Sequence, residues 1–330
     1  MSSTETPSPS RLLLVASVAV AVISGALTAL QTRVNSQLAL ELGDGILSSL
    51  ISFGSGLLIL TVVVLLVPSG RHGLVRLRSS VRTKQTPWWY LIGGVFGAFF
   101  VVSQGLTATV VGVALFTIAV VATQTITGAV IDRVGLGDLP KRPVTVLRVV
   151  ASLLALVAVG FAGAAELRVD VPIALLILPL LAGVGVGYQQ AINGQVRFVS
   201  QSALTATFLN FLTGASVLVI AVIVHTIAVG WVATFPSNPL LYTGGAIGVL
   251  FIGGAAAVVR TIGVLLLGLG TIAGQLLGAL LLDLVIPIAG HHLSVTTVIG
   301  TLLTLVAVSL AVVSAQRAER KGSAGHSDDR

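Results

Sequence analysis

Long runs of apolar residues, separated by short polar, glycine or proline breaks, occupy most of the sequence. A membrane-spanning helix needs about 20 apolar residues, whereas a porin-type strand alternates apolar and polar residues over about ten. Continuous apolar blocks such as 57–67 are typical of the helical pattern. The runs predict an all-α polytopic membrane protein with ten transmembrane helices, at 12–32, 46–67, 88–107, 110–131, 144–164, 171–196, 203–229, 240–259, 261–282 and 294–315.

The basic residues fall almost entirely on one side of these ten spans. Arg33 and Arg168 fall on the other side. Because loops rich in Lys and Arg stay in the cytoplasm, this distribution predicts an inner-membrane protein with both termini cytoplasmic. The sixteen residues on the predicted cytoplasmic side are Arg11, Arg71, Arg76, Arg78, Arg82, Lys84, Arg133, Lys141, Arg142, Arg148, Arg197, Arg260, Arg317, Arg320, Lys321 and Arg330.

Composition excludes several other classes of protein. Of the 330 residues, 55% are hydrophobic and only 9% are charged, whereas a soluble domain carries about 25% charged residues. The absence of Cys excludes a disulfide or a Cys-ligated metal, and the five His show no metal-ligand spacing. We therefore expect no enzyme activity, no metal and no cofactor. The net charge is +7, but in a membrane protein basic residues mainly set the orientation of the helices. We therefore expect no nucleic-acid partner.

An internal repeat relates the two halves of the chain. Five spans precede about residue 165 and five follow it, so the second copy enters the membrane with the opposite orientation. We predict a first five-helix repeat at 12–164 and a second at 165–315, flanked by disordered cytoplasmic tails at 1–11 and 316–330. Gln31, Asn35, Phe53 and Gly56 recur as Gln189, Asn193, Phe211 and Gly214 at an offset of 158, and Gly93, Gly94, Gly97, Gln124 and Asp132 recur as Gly244, Gly245, Gly248, Gln275 and Asp283 at an offset of 151.

Inverted repeats are the architecture of many secondary transporters, because a site at the repeat interface can open alternately to either side. The pattern therefore predicts alternating-access transport. A five-plus-five arrangement is also compatible with a stable packing unit, so a non-transporting membrane scaffold or assembly factor is the alternative.

Four motifs resemble the YdcZ-like branch of the drug/metabolite transporter superfamily. They are Ala29-Leu30-Gln31-x-Arg33-x-Asn35, Ser52-Phe53-x-x-Gly56, Trp88-Trp89-x-x-x-Gly93-Gly94 and Gln124-x7-Asp132. The resemblance covers about residues 12–315 and implies the fused ten-helix form. The second half departs from the pattern, with Ala191 where the first has Arg33 and Leu240-Leu241 where it has Trp88-Trp89. A role for that arginine would therefore be asymmetric.

Two amide pairs are candidate substrate-binding residues. Gln31 and Asn35 are four residues apart, as are Gln189 and Asn193, so each pair lies on one helix face. Amides supply donors and acceptors without charge, which suits a polar solute. Hydrogen bonding that only joins helices is the alternative. The pairs lie towards opposite ends of their spans, so they are also candidates for gates on opposite sides.

Gln124 and Gln275 are candidates for a central substrate site. Each lies three residues from the centre of its span, about 4.5 Å from the membrane midplane. Both would face one cavity if their two spans pair. A glutamine that bridges helices is the alternative.

Three charged residues complete the candidates, for proton coupling or for ion pairing. Asp132 is expected to be solvated or ion-paired at a cytoplasmic helix end. Asp283 is followed by an apolar stretch, so it is expected to pair with a basic residue or to exchange a proton. Arg33 is expected to reach the outer headgroups or to attract an anionic solute group.

The sequence thus predicts a transporter, more specifically an exporter, of a small polar or amphipathic metabolite or drug. Its expected partners are that small-molecule substrate and the lipid bilayer, with proton coupling left open. The predicted assembly is a monomer or a homodimer.

Overall fold

The computed structural model describes residues 11–111, 113–162, 173–230, 234–285 and 295–324, and every regular element in these ranges is helical. The α-helices are α1 (Arg11–Leu42), α2 (Gly45–Leu66), α3 (Pro68–Arg82), α4 (Gly93–Val111), α5 (Val113–Val134), α6 (Val146–Ala162), α7 (Ile177–Ser200), α8 (Ala203–Val229), α9 (Gly244–Ile262), α10 (Val264–Val285) and α11 (Val295–Ala324). Short 3-10 helices at Trp88–Ile92, Ile173–Leu176 and Pro239–Tyr242 precede α4, α7 and α9.

Eight of these helices are long and apolar enough to cross a membrane, namely α1, α2, α5, α7, α8, α9, α10 and α11. Two shorter apolar helices, Trp88–Gln104 and Val146–Ala162, lie within the described ranges as well. Apolar helices of this length bury their backbone polar groups within the helix, which is what a hydrocarbon environment requires. The predicted all-α membrane class is therefore confirmed.

Each predicted span coincides with an apolar helix, but three boundaries were wrong. Helix α1 continues to Leu42, well beyond the predicted end at 32. The third span, predicted from 88, begins with a 3-10 helix before α4 starts at Gly93. Helix α11 continues to Ala324, so much of the predicted disordered tail at 316–330 is helical. The predicted tail at 1–11 lies outside the described residues except for Arg11, which begins α1.

Helix starts and turns follow from local side-chain chemistry. The side chain of Asp44 accepts hydrogen bonds from the backbone N–H groups of Ile46 and Leu47, which caps the first turn of α2. Gly263 has φ of +86°, a conformation that glycine adopts without strain, and it forms the tight junction between α9 and α10.

The two halves of the chain interlock rather than stand side by side. We call helices α1–α6 the first half and α7–α11 the second half. Helix α1 packs against α9 and α10, and its counterpart α7 packs against α4 and α5. Helix α2 packs against α8, and α6 packs against α11. Each of these contacts joins one half to the other. The packing of α1 on α9 and α10 is repeated by the packing of α7 on α4 and α5, the equivalent helices of the opposite half.

Glycines let these helix backbones touch. A Cβ at Gly25 would overlap the backbone oxygen of Thr271, and a Cβ at Gly183 would overlap the backbone oxygen of Val120. Gly25 and Gly183 are 158 residues apart, and Val120 and Thr271 are 151 apart, so the two contacts occupy repeat-equivalent positions. Small residues allow close helix approach in membranes, where packing replaces the hydrophobic drive for association.

Replacing a glycine at one of these contacts should destabilise the protein. A Cβ at Gly274 in α10 would overlap the backbone oxygen of Val22 in α1, so Gly274→Ala should force the helices apart and cost about 1–3 kcal/mol. The measurement is thermal unfolding of the purified protein in detergent.

Gly54→Ala is the matched control, since a Cβ at Gly54 in α2 would meet nothing within 4 Å. That substitution should leave the melting temperature unchanged or raise it, because alanine favours the helix over glycine. Equal melting temperatures for the two variants would contradict the importance of the α1–α10 contact.

Candidate functional site

The first amide pair lies in α1 and faces the glycine-rich start of α9. Gln31 Nε2 donates to the backbone oxygen of Gly244 at 2.7 Å. Asn35 Nδ2 donates to Ser52 Oγ in α2 at 3.2 Å. The Oδ1 atom of Asn35 lies against Gly244, where a Cβ would overlap it. This pair therefore joins α1 and α2 to a helix of the second half.

The second amide pair lies in α7 and faces the equivalent start of α4. Gln189 Nε2 and Asn193 Nδ2 donate to the same acceptor, Asn210 Oδ1 in α8, at 2.9 and 3.2 Å. A Cβ at Gly97 would lie 2.6 Å from Gln189 Nε2, and one at Gly93 would lie 2.8 Å from Asn193 Oδ1. This pair therefore packs against a helix of the first half, while its hydrogen bonds stay within the second half.

The two clusters are repeat-equivalent but differ at one position. Ser52 and Asn210 are 158 residues apart, so each receives the asparagine of its own half. Within these two clusters, two buried amide atoms have no hydrogen-bond partner among the described residues: Oδ1 of Asn35 and Nδ2 of Asn210. One is an acceptor and the other a donor, and a buried polar atom left unpaired costs about 1–3 kcal/mol.

Two phenylalanines mark where α2 and α8 cross. The rings of Phe53 and Phe211 have centroids 5.3 Å apart and are tilted by 40°. Phe53 packs on Gly214, and Phe211 packs on Gly56, so this contact is also reciprocal. Tilted aromatic pairs at this separation are favourable.

Gln124 and Gln275 lie on the paired helices α5 and α10 but at different levels. Gln124 is buried, with Nε2 3.4 Å from the position of a Cβ on Gly268. Gly268 precedes Gln275 by seven residues, about 10 Å along α10. Gln275 is half-buried, and its backbone N–H packs against Gly25 of α1. The structure therefore places both glutamines along one helix pair without bringing them to the same point.

Asp132 is the centre of a buried polar network at the start of α10. Its carboxylate accepts hydrogen bonds from the backbone N–H groups of Val264 at 2.7 Å and Leu265 at 3.3 Å. Nη1 of Arg148 lies 3.7 Å from Oδ2, and both side chains are nearly inaccessible. A carboxylate at a helix N-terminus interacts favourably with its free N–H groups and dipole. Of the two expectations for Asp132, ion pairing is confirmed and solvation was wrong.

Asp283, the repeat equivalent of Asp132, is in a different setting. Its Oδ1 accepts from Arg33 Nη1 at 3.1 Å, and the side chain is 39% exposed. The expected partnership of Asp283 with a basic residue is confirmed. Arg33 thus has a charged partner within the protein, and its expected contact with outer headgroups or an anionic solute group stays a prediction.

Sequence reasoning missed several residues of these clusters. Asn210 could have been found from the offset of 158 applied to Ser52. Arg142 donates through Nη2 to the backbone oxygens of Arg260 and Thr261 at the end of α9, and Arg260 in turn lies 3.8 Å over the ring of Phe198. Both arginines had been assigned to membrane orientation alone.

Apolar helices joined by buried amide clusters are features of a multi-pass membrane protein. The sequence matches the family described as "Putative inner membrane exporter, YdcZ" over residues 16–161 and 174–310, so the chain belongs to this family. The predicted YdcZ-like membership is confirmed, and it supports a multi-pass inner-membrane protein of the transporter class.

The fold has also been seen before. A solved crystal structure matches this chain with a TM-score of 0.62 at 17% sequence identity, and the match covers 94% of this chain and 100% of the other. At that identity the likeness concerns the fold alone. Among curated proteins, no sequence matches the chain.

The two aspartates should differ in what they contribute to stability. Asp132→Ala leaves Arg148 buried without its carboxylate and frees the capped start of α10, so it should lower the free energy of unfolding by about 3–5 kcal/mol. Asp283→Ala removes a half-exposed pair and should cost no more than about 1 kcal/mol. Denaturant unfolding in detergent measures both.

A double variant tests whether the buried charge of Arg148 causes the loss of stability in Asp132→Ala. Asp132→Ala combined with Arg148→Met removes the uncompensated charge, so it should be more stable than Asp132→Ala alone. No recovery in the double variant would show that the capping hydrogen bonds, rather than the buried charge, dominate.

Proposed function

We propose that the protein is a secondary transporter, acting as an exporter, that moves a small polar or amphipathic solute by alternating access. The ten apolar helices cross the membrane as two inverted five-helix repeats, at 12–164 and 165–315, with both termini in the cytoplasm. One observation carries this proposal. An amide pair in each half packs against the glycine-rich start of a helix in the other half: Gln31 donates to Gly244, and Gln189 lies against Gly97.

The two amide clusters would act as gates on opposite sides. In the proposed orientation, Gln31 and Asn35 lie towards the outer face, and Gln189 and Asn193 towards the cytoplasm. At each gate, amide side chains of one half lie against glycines of the other, and the amide hydrogen bond from Gln31 to Gly244 joins the halves. Such small surfaces can separate and re-form without displacing large side chains. Alternate opening of equivalent contacts is how inverted repeats expose one site to each side in turn.

The substrate class follows from the groups that remain available. Asn35 Oδ1 and Asn210 Nδ2 offer one buried acceptor and one buried donor, while Gln124 and Gln275 line α5 and α10. Both aspartates within the described helix pair are already in ion pairs, with Arg148 and Arg33. An uncharged or zwitterionic solute with both hydrogen-bond donors and acceptors suits this set.

Proton coupling is a subsidiary proposal that rests on Asp283. Its half-exposed carboxylate pairs with Arg33, so protonation would release the arginine and loosen the contact between α1 and α10. Solute flux that ignores an imposed pH gradient would remove this role.

A scaffold or assembly factor is the competing function. It needs the same packing but has no use for a site that opens to both sides. Accessibility from the two membrane faces therefore separates the two functions without knowledge of the substrate.

A cysteine at position 275 should react with a membrane-impermeant thiol reagent from either face. The chain contains no Cys, so each single-cysteine variant is free of background labelling. Gln275→Cys is half-buried along α10, where alternate opening would expose it to both sides. The measurement compares labelling in right-side-out and inverted membrane vesicles.

Two exposed positions serve as controls. Gln201→Cys lies in the turn between α7 and α8, and Asn238→Cys lies in the segment before α9. The first should react only from the cytoplasmic face and the second only from the outer face. Labelling of Gln275→Cys from one face alone, or from neither, would favour the scaffold.

Loss of the two central glutamines should reduce transport. A panel of polar solutes tested on proteoliposomes identifies one that the wild-type protein carries. For that solute, Gln124→Leu with Gln275→Leu should lower the flux about 30-fold, since each lost hydrogen bond is worth about 1 kcal/mol.

The matched control replaces two exposed glutamines, Gln37→Leu with Gln85→Leu, and should keep wild-type flux. Wild-type flux in the Gln124 and Gln275 variant would refute the assignment of these residues to the substrate site.

A further inference from the structure

Helix α3 was not predicted, and it differs from the other α-helices in its chemistry. It lies between α2 and α4, and Arg71, Arg76, Arg78 and Arg82 are exposed along it. No Asp or Glu occurs anywhere from 45 to 131 in the sequence. None of these arginines makes an ion pair with an acidic residue of the described ranges. The helix therefore presents uncompensated positive charge next to the membrane spans.

The opposite face of α3 is fixed to α8. A Cβ at Gly73 would overlap Thr205 Oγ1, and the hydroxyl of Thr205 donates to the backbone oxygen of Gly70 at 3.2 Å. Leu77 is buried in a cluster that also contains Tyr90 and Ala206. Because these contacts are close, α3 has a defined position against α8.

An apolar groove lies between α3, the 3-10 helix at Trp88–Ile92 and α8. Its volume is about 250 Å³, and its walls include Leu77, Val81, Leu91 and Leu209. Arg78 and Arg82 also line it, one helical turn apart on α3. The groove thus combines an apolar floor with two adjacent guanidinium groups.

The depth of the groove in the bilayer follows from its neighbours. Trp88 begins the adjoining 3-10 helix and is 68% exposed. Exposed tryptophan is typical of the headgroup level of a membrane, and an amphipathic basic helix lies in the same interface. The two arginines are therefore placed where lipid phosphates occur.

We propose that this groove is a binding site for one anionic phospholipid. The phosphate is held by Arg78 and Arg82, and the start of an acyl chain occupies the apolar groove. Arginine binds phosphate through paired hydrogen bonds, and anionic lipids attract basic segments beside membrane spans. The apolar floor favours a lipid over free phosphate, which would leave those walls unfilled. This site is independent of the proposed transport function.

The test titrates the detergent-purified full chain with dioleoylphosphatidylglycerol and, separately, with dioleoylphosphatidylcholine. Native mass spectrometry counts bound lipid, and thermal unfolding reports stabilisation. We expect the anionic lipid to bind more tightly and to raise the melting temperature, and the zwitterionic lipid to do neither. Arg78→Gln with Arg82→Gln should weaken binding of the anionic lipid about 30-fold.

The matched control is Arg71→Gln with Arg76→Gln, which removes the same charge from the same helix but from side chains outside the groove. It should retain most of the binding. Equal loss in the two double variants would overturn the proposal, because it would show a general effect of helix charge. Wild-type binding in the Arg78 and Arg82 variant would overturn it as well.

Two further experiments distinguish binding of the whole lipid from binding of its headgroup alone. Glycerol phosphate and inorganic phosphate should bind weakly and leave the melting temperature unchanged, and stabilisation by either one equal to that by the lipid would contradict a lipid site. Val81→Phe fills the groove while keeping both arginines, and it should lower lipid binding. Unchanged binding in that variant would show that no acyl chain enters.

Discussion

Close contact between helix backbones across the two halves is the constraint on which the rest of the structure depends. In a bilayer, apolar side chains gain little by leaving lipid for protein, so helices associate through packing and polar contacts. Glycines at Gly25 and Gly274 in the α1–α10 contact, and at Gly183 in the α7–α5 contact, bring backbone against backbone. A side chain at any of these glycines would push the paired helices apart.

The buried polar groups divide into two kinds. Asp132 has two backbone N–H donors and an arginine around one carboxylate, which makes it a fixed joint between α5 and α10. The amide clusters instead have fewer bonds than their atoms could make, with Asn35 and Asn210 each leaving one buried atom unpaired. The carboxylate of Asp132 has a backbone donor on each oxygen, whereas each amide cluster has one buried polar atom without a partner within the described residues. The fold thus places its fully paired carboxylate at the start of α10 and its incompletely paired amides beside the starts of α4 and α9.

Much of this fold could be predicted from the sequence because two signals are strong. Apolar length gave the helices, and the offsets of 158 and 151 gave the equivalences that reappear as reciprocal contacts at Gly56 and Gly214. Helix α3 was not predicted because its basic, amphipathic sequence has no apolar run. The C-terminal part of α1 was not predicted because Gln31 and Arg33 interrupt the apolar run there. Those polar residues have partners within the protein, Gly244 for Gln31 and Asp283 for Arg33. The pairing of Arg33 with Asp283 joins residues far apart in sequence, which no local pattern reveals.

The difference between Ser52 and Asn210 changes how the two halves are linked. In one half, Asn210 Oδ1 receives both amides of α7, so these hydrogen bonds stay between α7 and α8. In the other half, the serine receives Asn35, and Gln31 donates instead to the backbone oxygen of Gly244 in α9. One amide cluster therefore links the two halves by a hydrogen bond, whereas the other links two helices of the same half. Separating the halves would break an amide hydrogen bond of the first cluster and leave those of the second in place.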